Sequence, residues 1–251
     1  MPRLAGKKAV VTGASSGIGR GIALAYAAEG ADLVISYNRS AERAAAVVEE
    51  LRAHGVRATA IQADLADPAA IDRLIGSARD TLGRLDIWVN NAGADILTGA
   101  AAEDPDAVKL QRLIEVDLRG TIACCWALAP VMEAQGGGAI INMSWDLCLH
   151  GFEGRNPQMF AAVKAGVLGF SRSFARSHAP KLRVNVLGPG WIETAFAEQD
   201  MDADYYRART AEIPVGRFGR PEDVAEAAVF LGSDESAYIT GEMIRINGGL
   251  V

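Results

Sequence analysis

Residues able to do chemistry gather in three stretches of this chain. The first is Thr12-Gly13-Ala14-Ser15-Ser16-Gly17-Ile18-Gly19, placed between a short apolar run and an amphipathic one. Glycine lets main-chain N–H groups approach a phosphate with no Cβ in the way, and a helix opening there adds its positive end. Gly13, Ser15, Ser16, Gly17, Ile18 and Gly19 are therefore expected to cradle a dinucleotide pyrophosphate. The second stretch is Ser36-Tyr37-Asn38-Arg39-Ser40. A carboxylate at the end of the second strand would accept from a ribose 2′-hydroxyl and repel a 2′-phosphate. None is present, and the Arg39 guanidinium, the Asn38 amide and the Ser40 hydroxyl suit a phosphate. NADPH is the expected cofactor. The third stretch runs from Ser144 to Lys164 and holds a hydroxyl, the acids Asp146 and Glu153, the imidazole of His150 and an ammonium group.

The elements that must position these groups follow from patterning. Short β-rich apolar runs alternate with long amphipathic stretches along the whole chain, the signature of a parallel sheet covered by helices. Strands are predicted at Ala9–Thr12, Asp32–Ser36, Ala58–Gln62, Asp86–Asn90, Ala139–Met143, Arg183–Leu187 and Met243–Ile246. Helices are predicted at Gly17–Glu29, Ser40–His54, Pro68–Leu82, Pro105–Gln135, Gln158–His178 and Pro221–Leu231, with Gly30, Gly55 and Gly83 as stops. The fold class is α/β, a Rossmann-type doubly wound seven-stranded parallel sheet with helices on both faces, in one domain over residues 1–251. Residues 188–210 carry no clear element and, lying after the sixth strand, are expected to form a lid over the site.

Composition agrees and removes other classes. Of 251 residues, 50% are hydrophobic and 22% charged, enough apolar surface for a large core. The net charge of −6, with Lys and Arg scattered, argues against nucleic acid as a partner. No apolar run approaches the roughly 20 residues of a membrane span, and the start of the chain has no signal-like stretch, so a cytoplasmic protein is expected. Three cysteines and three dispersed histidines give neither a disulfide framework nor zinc-ligand spacing, and no metal is expected.

The glycine spacing, Gly-x-x-x-Gly-x-Gly, resembles that of the short-chain dehydrogenase/reductase family. Asp64-Leu65, Asn90-Asn91-Ala92-Gly93, Pro189-Gly190 and Ile246-Asn247-Gly248-Gly249 follow in the family's order, so the likeness spans residues 7–250. It implies that Asp64 and Leu65 hold adenine, that Asn91, Ala92 and Gly93 line the cofactor, and that Pro189, Gly190, Ile192 and Thr194 meet its nicotinamide or pyrophosphate end. It also implies a serine, a Tyr-x-x-x-Lys pair and an asparagine as the catalytic set. Ser144 and Lys164 match, with Lys164 also on the nicotinamide ribose. Phe160 stands where the tyrosine would be, and Asp117 where the asparagine would be.

Losing the phenol keeps a ring and removes a proton donor, a group worth roughly 10²–10⁴-fold in rate. None of the five tyrosines lies between Ser144 and Lys164; only Tyr205 and Tyr206 could reach the site from the lid. Asp117 is expected either to share a relay with Lys164 or to cap a helix bend. The insert of residues 145–156 offers Asp146, His150 and Glu153 as alternative acids or as an anionic wall for a cationic substrate. Trp145, Phe160, Trp191 and Tyr205 are expected to line the substrate position. Three functions remain. One is an NADPH-dependent imine reductase, whose iminium substrate already carries its proton; another is a ketone or activated-alkene reductase using Asp117, Asp146, His150 or water as acid; the last is a non-catalytic NADPH-binding protein. The retained Ser144 favours an enzyme acting on a small molecule. The resemblance further implies a homotetramer, through residues 105–135 and 158–178 and the apolar end Ile244–Val251.

Overall fold

A computed structural model describes residues 2–194, 197 and 201–250. Seven strands form one parallel sheet in the order β3-β2-β1-β4-β5-β6-β7: β1 Lys8–Val11, β2 Asp32–Tyr37, β3 Ala58–Gln62, β4 Ile87–Asn90, β5 Gly138–Met143, β6 Leu182–Pro189 and β7 Met243–Ile246. Each strand pairs in parallel with its neighbours, for example Val10 with Val34 on one side and Trp88 on the other. Burial on both faces explains why the strands read as continuous apolar runs rather than as alternations. The strand order reverses between β1 and β4, and a crevice opens there beyond the carboxyl ends, where open α/β sheets bind ligands.

Helices α1 (Gly17–Ala28), α2 (Ala41–Arg52) and α3 (Pro68–Leu82) fill the first crossovers. Gly30, Gly55 and Gly83 follow them with φ of 83°, 80° and 82°, a left-handed conformation that costs other residues energy. The Asp67 carboxylate accepts the Ala69 N–H at 2.9 Å and caps α3. Two buried layers result, one of Ile22, Tyr26, Leu33, Ile35 and Val224 with their neighbours, the other of Leu74, Trp88, Leu128 and Ile140 with theirs. Between β4, β5 and the long helix α7 (Arg155–His178), Asn90 donates to Asn142 and Asn142 donates to Ser171, both at 2.8 Å. These buried bonds fix β5 against the helix that carries Lys164.

Three expectations need correction. After the short helix α4 (Gly99–Ala102), the single helix predicted at Pro105–Gln135 is a composite: α5 (Asp106–Arg112), a π-helical stretch (Leu113–Gly120) and α6 (Thr121–Ala134). A π stretch widens the turn and is frequent at functional sites; here it carries Asp117 inward. Helix α7 starts at Arg155, before the predicted Gln158, because Pro157 lies in the first turn, where its missing N–H has no helical partner to lose. The lid segment 188–210 is not wholly irregular: β6 runs to Pro189 and α8 spans Ala203–Glu212. Positions 195, 196 and 198–200 of that segment, and Val251 of the predicted tetramer tail, lie outside the described residues. Helix α9 (Pro221–Gly232) packs on α1 and completes the helical layers. Among the described residues no helix is long and apolar enough to cross a membrane.

Candidate active site

The glycine loop is shaped by close approach. Thr12 is fully buried; its hydroxyl donates to the Val89 carbonyl and accepts the N–H groups of Asn91 and Ala92, both at 3.0 Å. Asn91 returns its amide to the carbonyls of Thr12 and Gly13, at 2.9 and 3.2 Å. Gly13 has φ +64° and passes so near the β4 end that a Cβ would lie 2.7 Å from Ala92 Cα. At Gly17, φ +56°, a Cβ would meet only Thr194 Cγ2 at 3.9 Å, so the backbone opening α1 borders open space. The Ser16 side chain makes no cap bond to the helix. Gly19 faces inward against Asn91, and Ile18 packs on the core. A pyrophosphate fits this cradle: N–H groups, a free hydroxyl and a helix N-terminus border the space.

The cleft beside the cradle has a volume of about 530 Å³. Ser15, Ser16, Asn38, Arg39 and Ser40 line one part of it, and Asp64, Leu65, Asn91, Ala92 and Gly93 another. Arg39 is exposed, with no hydrogen bond or ion pair among the described residues, whereas the Ser40 hydroxyl is taken by Arg43.

Across the crevice, Lys164 and Asp117 form a buried ion pair. Lys164 Nζ lies 2.8 Å from Asp117 Oδ2 and 3.4 Å from the Met143 carbonyl. Asp117 is 2% exposed, and its Oδ1 accepts the Ala94 N–H at 2.7 Å. A Cβ at Gly93 would lie 2.9 Å from Oδ2, so glycine there lets the β4 loop close over the pair. Of the two expectations for Asp117, pairing with Lys164 is the one the geometry carries. Ser144 is 4% exposed; its hydroxyl donates to the Lys164 carbonyl at 2.8 Å, and the Cys148 sulfur is 3.6 Å away. One helical turn before Lys164 stands Phe160. It packs on the small cluster of Ile96, Leu113, Met159 and Val163, with its ring centre 6.2 Å from that of Trp145.

Trp191 anchors an aromatic group on the far side. It stacks on Phe218 at 5.8 Å and meets Phe152 and Tyr205 edge-on at 5.8 and 6.1 Å, while Arg209 lies over the Phe152 and Tyr205 rings at 5.2 and 5.1 Å. Ile192 is buried and bridges to Gly219, and Gly190 is bonded to the Ile246 carbonyl beyond Pro189. Asp146 is fully buried between the ends of β5, β6 and β7. His150 is exposed at the surface end of the same loop and makes no side-chain bond among the described residues. Arg209 and Phe218 were not predicted, for they stand outside every motif. Asn247, now beside Asp146, sat in a quoted motif and received no role.

A family model described as "Enoyl-(Acyl carrier protein) reductase" matches residues 13–251. The chain is a short-chain dehydrogenase/reductase. It is 39% identical over 248 residues to a 3-oxoacyl-[acyl-carrier-protein] reductase of Staphylococcus aureus, covering 97% of this chain and 98% of that one. The corresponding protein of Thermotoga maritima is 37% identical over 253 residues, covering 99% of both. Among solved structures, a short-chain dehydrogenase from Burkholderia cenocepacia in complex with NADP superimposes with a TM-score of 0.89 at 35% identity, covering 99% of both chains. A 7α-hydroxysteroid dehydrogenase complexed with NADH and 7-oxo glycochenodeoxycholic acid gives 0.90 at 31%, covering 98% and 95%. The protein is thus an oxidoreductase of this family, built around a nicotinamide cofactor.

Proposed function

We propose that this dehydrogenase/reductase uses NADPH to reduce a carbon–nitrogen double bond, taken up as the protonated iminium. The carrying observation is what the reacting end offers. A carbonyl oxygen that receives electron density needs a donor beside it. The position one turn before Lys164 holds the Phe160 ring, and the Ser144 O–H is committed to the Lys164 carbonyl, leaving oxygen lone pairs that accept rather than donate. An iminium N–H needs an acceptor and brings its own proton. Reduced nicotinamide, when bound, supplies the hydride.

The chain's own residues divide the remaining work. The loop of Gly13, Ser15, Ser16, Gly17, Ile18 and Gly19 would hold the pyrophosphate, Asn38, Arg39 and Ser40 the 2′-phosphate, and Asp64 and Leu65 the adenine. Asn91, Ala92 and Gly93, with Lys164, would border the nicotinamide riboside, and Pro189, Gly190, Ile192 and Thr194 its amide end. Asp117 aims the Lys164 ammonium, which it holds in an ion pair at 2.8 Å. Trp145, Phe160, Trp191 and Tyr205 would exclude water around a small ring. Arg39, exposed on the wall of the cleft and the 2′-phosphate reader by this account, supports NADPH over NADH, as does the NADP held by the Burkholderia neighbour.

Ketone reduction is the second reading, favoured by the 3-oxoacyl substrates in the names of the relatives. Asp117, Asp146, His150 or water would then be the acid. Incubating the protein with NADPH and a panel of cyclic imines and ketones, while following nicotinamide absorbance, separates the two. Imine turnover with slow ketone turnover is expected; fast ketone turnover sinks the iminium assignment, and silence on both with tight NADPH binding points to a binding module. A homotetramer in the cytoplasm completes the proposal, supported by Trp126 on α6, 65% exposed and edge-on to Phe170 of α7. Light scattering is expected to give four times the chain mass.

A further inference from the structure

Helix α8 lacks the usual anchor of a helix in a folded chain, an apolar face packed on the core: none of its residues is buried. Side chains tie it down instead. The Tyr206 ring stacks on Phe218 at 4.3 Å, and its hydroxyl donates to the Glu193 carboxylate at 3.3 Å. Tyr205 meets Trp191 edge-on at 6.1 Å. These contacts reach the chain that flanks α8 itself. Arg209 reaches further, because its guanidinium lies over two rings: Tyr205 of its own helix at 5.1 Å, and Phe152 at 5.2 Å. Phe152 belongs to the segment 145–156, which follows Ser144 and leads into the helix that carries Lys164. One edge of the guanidinium pairs with Glu212 at 2.8 Å, while Nε is buried with no hydrogen bond. Rings, not an acceptor, are therefore what the inner part of this side chain meets.

We propose that Arg209 is the positioning residue that joins the two walls of the substrate position: through Phe152 and Tyr205 it fixes how α8 stands against the 145–156 segment. A guanidinium suits this task because its flat face sits on a ring while its edge keeps a carboxylate or water. It touches no reacting atom and acts through the rings, which also meet Trp191. Only its effect on turnover rests on the assignment of these rings to the substrate; the coupling of the two segments stands on the contacts themselves.

Hydrogen exchange read by mass spectrometry on the NADP⁺-loaded protein tests the coupling, since amide exchange reports local opening. Arg209→Met keeps a long stem and removes the cation. It is expected to speed exchange about 2–30-fold in both residues 203–212 and residues 145–154, the range for one cation lost from a ring, with β5 unchanged. Phe152→Leu is expected to loosen the same two segments, and the double variant to add nothing further, because both changes remove one contact. Arg209→Lys, which keeps a cation, is expected to restore part of the protection. Faster exchange in α8 alone overturns the proposal, as do additive effects or no change. If Arg209→Met does not fold, Phe152→Leu makes the same comparison, and unaltered exchange in α8 overturns the proposal. With an imine that the protein reduces, Arg209→Met is expected to raise the KM for the imine by a similar factor and leave kcat and the KM for NADPH little changed. A fall in kcat at constant KM would place Arg209 at the reacting atoms and overturn its positioning role. Absence of imine turnover in the wild type would remove the iminium assignment, and the exchange result would still decide on Arg209.

Discussion

The phosphate side and the substrate side of the crevice differ in how their polar groups are satisfied. Around Thr12, Gly13, Asn91 and Ala92 the hydroxyl, amide and main-chain groups bond one another, and the loop is complete before any ligand arrives. Across the crevice stand all four buried side-chain atoms that lack partners among the described residues: Asp146 Oδ2, Trp191 Nε1, Arg209 Nε and Asn247 Nδ2. They come from the ends of β5, β6 and β7 and from α8. Buried polar groups are normally paired, so the two halves differ in how far the chain satisfies its own groups.

The largest test concerns the pair that joins the halves. Lys164→Met removes the ammonium and leaves the Asp117 carboxylate buried; loss of one partner of a buried pair costs about 3–5 kcal/mol. Thermal denaturation is expected to show a drop on the order of 10 °C for a chain this long. Asp117→Asn keeps an acceptor for the Ala94 N–H and is expected to cost less; an equal or larger loss would show that the charge is not what matters. Next, Phe160→Tyr supplies a hydroxyl one turn from Lys164. Ketone reduction is expected to rise by about 100-fold or more, the usual worth of a positioned acid, with imine reduction little changed. No gain would place the missing proton donor elsewhere on the substrate side.

On the phosphate side, Arg39→Ala is expected to weaken NADPH binding about 10–100-fold while leaving NADH untouched, as for one charge-assisted bond lost. Equal effects on both cofactors, read by fluorescence titration, would remove Arg39 from the 2′-phosphate. The smallest effect is a control belonging to neither half. Asp32 opens β2 at the amino end of the sheet; burial would raise its carboxyl, but Lys8 and Arg57 outweigh that and hold it at about 2. Its lowered value means stability present above about pH 4 and lost as the pH falls toward 2. Asp32→Asn should therefore destabilise at neutral pH, with the difference from wild type vanishing over that window and no change in cofactor affinity.

Legibility followed the range of the interactions. Seven strands, the glycine stops at residues 30, 55 and 83 and the phosphate loop were read from the chain because each depends on neighbours a few positions away. Helix α8 was missed: it buries no residue and has no apolar stripe, and its one local mark is the Asp202 carboxylate accepting the N–H groups of Asp204 and Tyr205. The break in the helix predicted at Pro105–Gln135 was missed because a π stretch has no composition of its own.

By itself, the sequence determined the strand, glycine loop and helix that open the chain, since glycine spacing acts through the backbone over a few neighbouring positions. It also determined that Phe160, not a phenol, precedes Lys164. The meeting of Asp117 with Lys164, 47 positions later, was decided only by the tertiary structure, and so was the gathering of Asp146, Gly190 and Asn247 from three strand ends. The physical reason is that a buried charge is tolerable only beside its partner, and which partner lies within 3 Å depends on how the sheet stacks its strands, not on any local pattern.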